Sequence, residues 1–353
     1  MKYMKQIVTF VKFGLACLLS LILWNSHAFA AGGCGSACLP LEALDFMGTQ
    51  VNSESFRISL SSQYAEFDNF REGDSSVTNN GGNSAIIQDI TLFLDYGITD
   101  RFTATLLLPY IKKEQTTNRF GVRTAEGTGD IALFGRYELF AEKAPEVVLG
   151  KFISPQNLHT LPGPSLSVGL GIKFKTGSIR QPGGNTQRLP PPFQNGTGAI
   201  DLIPTIAYFQ IFDGYSLFGN AFYRVPTEEN TFGYKFGKEF EVHFGVEYPI
   251  ITRSSSSIGL DFTISLDYLH GDHDRDSEGI VPGRLRDGTK VLNTGGEFLD
   301  ITPGITIRPS RQSALQLRLF FPVFEDWNGD RATNVGQVAP DITYQLTFNY
   351  SVE

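Results

Sequence analysis

Residues 341–353 read D-I-T-Y-Q-L-T-F-N-Y-S-V-E. Ile342, Tyr344, Leu346, Phe348, Tyr350 and Val352 fall on one face of an extended chain, and Thr343, Gln345, Thr347, Asn349 and Ser351 on the other. A strict period of two predicts a β-strand with one apolar and one polar side.

The same signature recurs upstream. Ile90-Leu92-Leu94-Tyr96 alternates with Asp89-Thr91-Phe93-Asp95, and Ile131-Leu133-Gly135-Tyr137 with Asp130-Ala132-Phe134-Arg136. Leu202 to Tyr208, Val242 to Tyr248 and Ile301 to Ile307 repeat it, each opening behind an acid. In five of these six segments an aromatic stands six residues after the first apolar position. Segments of a second kind lie between them, at 56–64, 102–110, 166–174, 217–223, 258–268 and 315–321, and each closes on an aromatic of its apolar face. Links after the first kind are mostly short (98–101, 210–214, 251–256, 308–313), whereas links after the second kind are long and polar (66–85, 112–127, 177–198, 271–296, 324–340). Residues 141–163 break the rhythm by being long where a short turn is due.

One geometry accounts for this rhythm. An all-β, transmembrane, antiparallel up-and-down β-barrel of about 12 strands puts short turns on one side of the membrane and long loops on the other. Six residues from the first apolar position to the aromatic, at about 3.4 Å each and a tilt of about 40°, cover roughly 16 Å of an apolar band about 25 Å tall. An even strand number brings both ends of the barrel to the periplasmic side. A secreted sandwich or a soluble propeller would also alternate, but neither calls for aromatics at a fixed depth or for short and long links in turn.

The N-terminus agrees with export. Lys2, Lys5 and Lys12 precede the apolar run 13–24, and Ala28-Phe29-Ala30 follows, which is the pattern of a cleaved signal peptide spanning 1–30. The run is too short for a membrane helix, which needs roughly 20 residues. Removing three of the 29 basic residues leaves 26 against 37 acidic ones, a balance of −11 that disfavours nucleic acid as a partner. The mean hydropathy of −0.09 is what a barrel with a wet interior gives. Residues 31–54 are expected to form a small plug or a periplasmic segment ahead of the barrel, 55–353. There Cys34 and Cys38 suit a local disulfide in an oxidising compartment, with metal binding or a redox role as the alternatives.

Parity assigns the lumen face. Acids (Asp89, Asp95, Asp130, Glu138, Glu239, Glu241, Glu247, Asp261, Asp267, Asp300) face it with Arg136, Lys173, Lys175, Arg224, Arg308 and Arg318. Phe93, Phe134, Phe218, Phe222 and Phe320 point the same way. Phe93, Phe134, Arg136, Phe218, Phe222, Arg224, Arg318 and Phe320 are therefore the candidate solute-path residues, the alternative being that the aromatics simply fill the lumen. Residues 270–274 and 326–330 resemble calcium loops without the full ligand spacing, and the first reads as a solvated loop. No nucleophile elbow, P-loop or dinucleotide fingerprint is present, so neither an enzyme nor a cofactor is expected.

Tyr96-Gly97-Ile98-Thr99-Asp100-Arg101-Phe102, Leu107-Leu108-Pro109-Tyr110 and Gly127-Thr128-Gly129-Asp130-Ile131 carry a family likeness. Over residues 86–353 the chain resembles the outer-membrane family named for the meta-pathway of phenol degradation. The resemblance implies a barrel, in contact with outer-membrane lipid and the barrel assembly machinery, that carries small hydrophobic or aromatic solutes. The chain departs from that pattern at its last residues, Val352-Glu353, where such barrels usually close on Phe or Trp. The expected function is a passive outer-membrane channel, with a structural barrel that docks a periplasmic partner as the other reading.

Overall fold

The alternation at the C-terminus becomes burial of the polar face. Thr343, Gln345 and Thr347 are each 1% exposed, whereas Tyr344, Leu346 and Phe348 between them are only half-buried. This inverts the rule of soluble proteins and is the arrangement that lipid outside and a polar interior require. The computed structural model describes residues 51–141, 164–183, 188–251, 258–279, 286–310, 312–329 and 336–352. The signal peptide, Cys34, Cys38 and most of the link 141–163 lie outside the described residues.

Twelve long strands form the wall: β1 (Phe56–Glu72), β2 (Ser84–Thr99), β3 (Phe102–Thr117), β4 (Ala132–Ala141), β5 (Ser165–Lys173), β6 (Asp201–Phe212), β7 (Tyr215–Pro226), β8 (Glu239–Ile251), β9 (Gly259–Gly271), β10 (Gly296–Arg308), β11 (Ser313–Trp327) and β12 (Thr343–Val352). Each pairs antiparallel with its neighbours in sequence. Phe56 of β1 faces both Val352 of β12 and Tyr96 of β2, so the sheet closes on itself. Closure satisfies backbone groups that lipid cannot.

The outer face carries the apolar belt. Leu170, Phe244, Leu266 and Leu317 stand on it among the most exposed large side chains. Eight residue steps from Phe102 to Tyr110 on β3, at about 3.4 Å and a tilt of about 40°, span roughly 21 Å, close to the apolar height of an outer-membrane barrel. Aromatics mark both borders. Phe56 and Tyr96 rings lie 4.5 Å apart, and Tyr215 and Tyr248 rings 5.9 Å apart, at the short-turn end. At the long-loop end Tyr223 meets Phe240 at 6.4 Å.

Strand number, order and connection rhythm match the sequence reading; strand length does not. Polar stretches assigned to loops continue as ladder: β1 runs to Glu72, β3 to Thr117, and residues Gly121–Thr128 pair back onto β3 from Tyr110 to Thr117. Beyond the hydrocarbon both faces of a strand meet water, so alternation fades while backbone pairing continues. A further four-stranded patch joins Tyr234–Lys235, Arg275–Asp276, Lys290–Val291 and Arg286–Asp287, linking the β7–β8 and β9–β10 loops.

Leu92 stands mid-belt, facing Leu60 of β1 and Leu108 of β3. Leu92→Arg is expected to lower stability in phospholipid vesicles by about 2–4 kcal/mol. Urea unfolding followed by Trp327 fluorescence measures this, and a neutral outcome would contradict a lipid-facing Leu92.

Candidate functional site

Polar side chains directed into a closed lumen must find partners there, because an unpaired buried charge is costly. The wall solves this by alternating acid and base across neighbouring strands. At the long-loop end the chain of charges runs Asp130–Lys173–Asp201–Arg224–Glu239. The Lys173 Nζ lies 2.8 Å from Asp130 and 3.1 Å from Asp201. Arg224 reaches Asp201 at 3.1 Å and Glu239 at 2.5 Å. The Asp130 carboxylate also accepts the backbone N–H groups of Thr197 and Gly177, each at 2.8 Å, which ties the β5–β6 loop to the rim.

Three further groups lie nearer the short turns. On β8, β9 and β11, the Asp267 carboxylate takes His243 Nδ1 at 2.5 Å, the Ser265 hydroxyl at 2.9 Å and the Arg318 guanidinium at 3.3 Å, while His243 Nε2 faces Glu241 at 3.4 Å. Lower still, Arg57 of β1 pairs with Asp95 of β2 at 2.7 Å, and Arg308 of β10 pairs with Asp261 and, at 3.1 Å, with Glu247.

Set against these charges is an apolar strip. Phe93, Leu107, Ala132, Phe134, Ile203 and Phe222 form one buried cluster across β2, β3, β4, β6 and β7. Gly171 makes room for it: a Cβ there would lie 2.3 Å from the Phe134 ring. Gly245 does the same for Phe218, at 2.4 Å. The lumen thus has one wall, β2–β7, that carries this apolar strip among polar side chains such as Thr91, Thr105 and Arg136, and a second, β1 and β8–β12, lined by Ser59, Ser61, His243, Thr263, Thr302, Arg318 and Gln345. Phe222 meets the His243 ring edge-on at 5.9 Å and joins the two walls.

The long loops fold inward above this. Phe193, in the 3-10 turn Pro191–Phe193, packs on Ala65, Phe67 and Ala85 of β1 and β2. The Lys113 ammonium of β3 donates to the carbonyls of Pro192 at 2.9 Å and Gln194 at 3.0 Å. Tyr234, Phe236 and Val291 from two other loops pack on Ile111 of the same strand. A roof of three loops therefore rests on the β1–β3 wall.

The sequence-predicted residues divide accordingly. Phe93, Phe134 and Phe222 come together in the strip, while Phe218 lies over Gly245. Arg224 and Arg318 belong to separate ion clusters, and Phe320 stacks 4.8 Å from the Arg318 guanidinium. Arg136 is buried on β4 below Phe134. Lys175 is not on the lumen wall: β5 ends at Lys173, and Lys175 is exposed and pairs with Glu228 at 2.8 Å. Asp274 is not in a solvated loop either. It is buried, accepting the Tyr234 hydroxyl at 2.5 Å and the Gly237 N–H at 2.7 Å. Leu107 and Ile203 were missed although parity marks both as apolar residues on the inner face. The roof residues Lys113, Phe193, Tyr234 and Phe236 carried no such signal.

No protein-family model and no curated protein matches the chain. Among solved structures it is similar to an outer membrane channel from Pseudomonas putida F1, at 13% identity and a TM-score of 0.58, over 86% of this chain and 98% of that one. Looser likenesses reach the β domain of the Bordetella autotransporter BrkA (8% identity, TM-score 0.44, 86% and 100% covered) and the NanC porin (7%, 0.41, 83% and 98%). At such identities the likeness bears on the fold.

Two outcomes are expected of the site's electrostatics. Lys173→Met leaves Asp130 and Asp201 facing each other at 0% side-chain exposure, and should cost about 3–5 kcal/mol in vesicle unfolding. A loss under about 1 kcal/mol, the size of an exposed pair, would show that water solvates the cluster. In the roof, burial pushes the Asp274 carboxyl up to about 7, with Glu239 adding to the rise and the Tyr234 and Gly237 hydrogen bonds opposing it. Because the folded value is raised, the neutral acid stabilises the roof at lower pH, and that contribution is lost as pH rises through about 7. The protection of the Gly237 amide against exchange, relative to its intrinsic rate at each pH, should be greater below that pH than above it, and Asp274→Asn should abolish the difference. The closed strand order, the apolar belt and the structural likeness together make this chain an outer-membrane β-barrel of twelve strands.

Proposed function

We propose that the barrel is a passive channel for small solutes that have an apolar or aromatic body and a polar end. The observation that carries this reading is the two-sided lumen, with the Phe93–Phe134–Phe222 strip on one wall and the His243–Asp267–Arg318 cluster on the other. A solute moving between them keeps its ring against carbon and its polar group against fixed charges, so it crosses without being stripped of both environments at once. Twelve strands also stand between the eight that side chains fill and the sixteen that leave a wide aqueous pore. The solute path then comprises Phe93, Phe134, Phe218, Phe222 and Phe320, with Arg224 above them, Arg136 below and Arg318 beside Phe320.

The likeness to an outer membrane channel supports transport, and the resemblance of the 96–131 motifs to the phenol meta-pathway family favours aromatic solutes. Liposome swelling with phenol, benzyl alcohol and sugars of matching size tests both. Phe134→Ala opens the space above Gly171, so its permeability to phenol-sized solutes should rise several-fold over wild type. A mature protein that seals liposomes to ions and to phenol alike, before and after this substitution, would overturn the channel reading.

A further inference from the structure

The β5–β6 loop differs in charge from the rest of the molecule. Residues 174–200 contain Lys175, Arg180 and Arg188 and no Asp or Glu, in a chain whose formal charge is −8. Lys175 is neutralised by Glu228. Arg180 and Arg188 have no carboxylate within ion-pair distance among the described residues, in contrast to Arg57, Lys173, Arg224, Arg308 and Arg318 of the lumen, each of which has one.

The two guanidiniums are nevertheless held together. Both lie over the ring of Phe232 from the β7–β8 loop, Arg188 at 3.5 Å and Arg180 at 5.1 Å from its centroid. Burial and the nearby Arg180 charge both depress the Arg188 guanidinium, so like charges are being brought together without an acid to compensate them. The scaffold is fixed from beneath. The Gln194 side chain accepts from the Gln181 N–H at 2.8 Å and donates to the Leu189 carbonyl at 2.7 Å, bracketing the two arginines. Arg188 donates to the Ile179 carbonyl at 3.2 Å, and Asn230 accepts the Phe232 N–H at 2.9 Å while donating to the Thr197 carbonyl at 3.0 Å. Two forked cations on a pinned frame, beside loops that roof the lumen, match the geometry that binds a planar oxyanion through paired N–H donors.

We infer that Arg180 and Arg188, held over Phe232 at the extracellular mouth, form a capture site for small organic carboxylates bound for the lumen. This rests on the channel reading and narrows its substrate class: the arginines take the carboxylate while the apolar strip below receives the body of the solute. A lipid phosphate offers the same oxyanion chemistry from another source, so the experiment must separate the two.

Titration calorimetry on the detergent-solubilised mature protein, with benzoate, phenol, inorganic phosphate and lipid A as probes, makes the test. Benzoate should bind, and Arg180→Gln/Arg188→Gln should weaken it by roughly tenfold or more, the size of one lost charge-assisted contact. Phenol affinity should not change, and Arg180→Lys/Arg188→Lys should fall between. An unchanged Trp327 unfolding midpoint confirms that the variants keep the fold. Benzoate binding that is absent in wild type or indifferent to the double substitution overturns the proposal. Arginine-dependent binding of lipid A without any binding of benzoate overturns it as well. Because binding is read without conduction, a sealed barrel that still binds benzoate would sink the channel reading alone.

Discussion

Every feature of this molecule follows from the need to leave no backbone N–H or C=O unpaired inside lipid. A sheet of twelve strands meets that need only by closing, and β1 does so by pairing with β12 on one side and β2 on the other. Closure fixes an inside and an outside for every residue. Alternation then becomes compulsory, since a one-residue slip of register would turn Leu92 into the lumen and Asp95 into hydrocarbon.

Closure also creates the interior's problem. The charges directed inward lie within hydrogen-bonding distance of one another and away from bulk water. The structure answers by placing Lys173 directly opposite Asp201, and Arg224 directly opposite Glu239, so that cross-strand pairing brings opposite charges face to face. Such pairs add less to net stability than their number suggests, because desolvation offsets much of the attraction. Their larger effect is to fix side-chain positions around the lumen, leaving the Phe93–Phe134–Phe222 strip as a well-defined apolar track beside a polar wall.

At the mouth the same physics runs with different materials. The β5–β6 loop crosses toward β1–β3 with three consecutive prolines, Pro190 to Pro192, whose fixed φ angles reduce the entropy of holding it there. Lys113 supplies donors to that loop's carbonyls, and Tyr234 and Phe236 give the neighbouring loop an apolar footing on Ile111. The roof is therefore tied to the wall by a cation and by aromatic packing. The loop–loop tie from Tyr234 to Asp274 makes it sensitive to pH.

A period of two is a local property. The alternation of residues 341–353 and of the eleven segments like it therefore gave strand type and the lipid face, and the short and long links between them gave the turn rhythm, and with it the barrel and the inward direction of Phe93, Phe134, Phe222, Arg224 and Arg318. Outside the membrane the chain gives no such signal. The stretches 112–127 and 177–198 both read as polar loops, yet the first continues a β-ladder in water and the second folds into the mouth. Likewise Lys173 and Lys175 share parity, but only Lys173 lies within β5, and only the end of the strand separates a buried ion pair from an exposed one. Which acid meets which base, which loop roofs the lumen and which arginines have no carboxylate partner among the described residues depend on residues far apart in the chain. Only strand closure brings those residues within reach of each other.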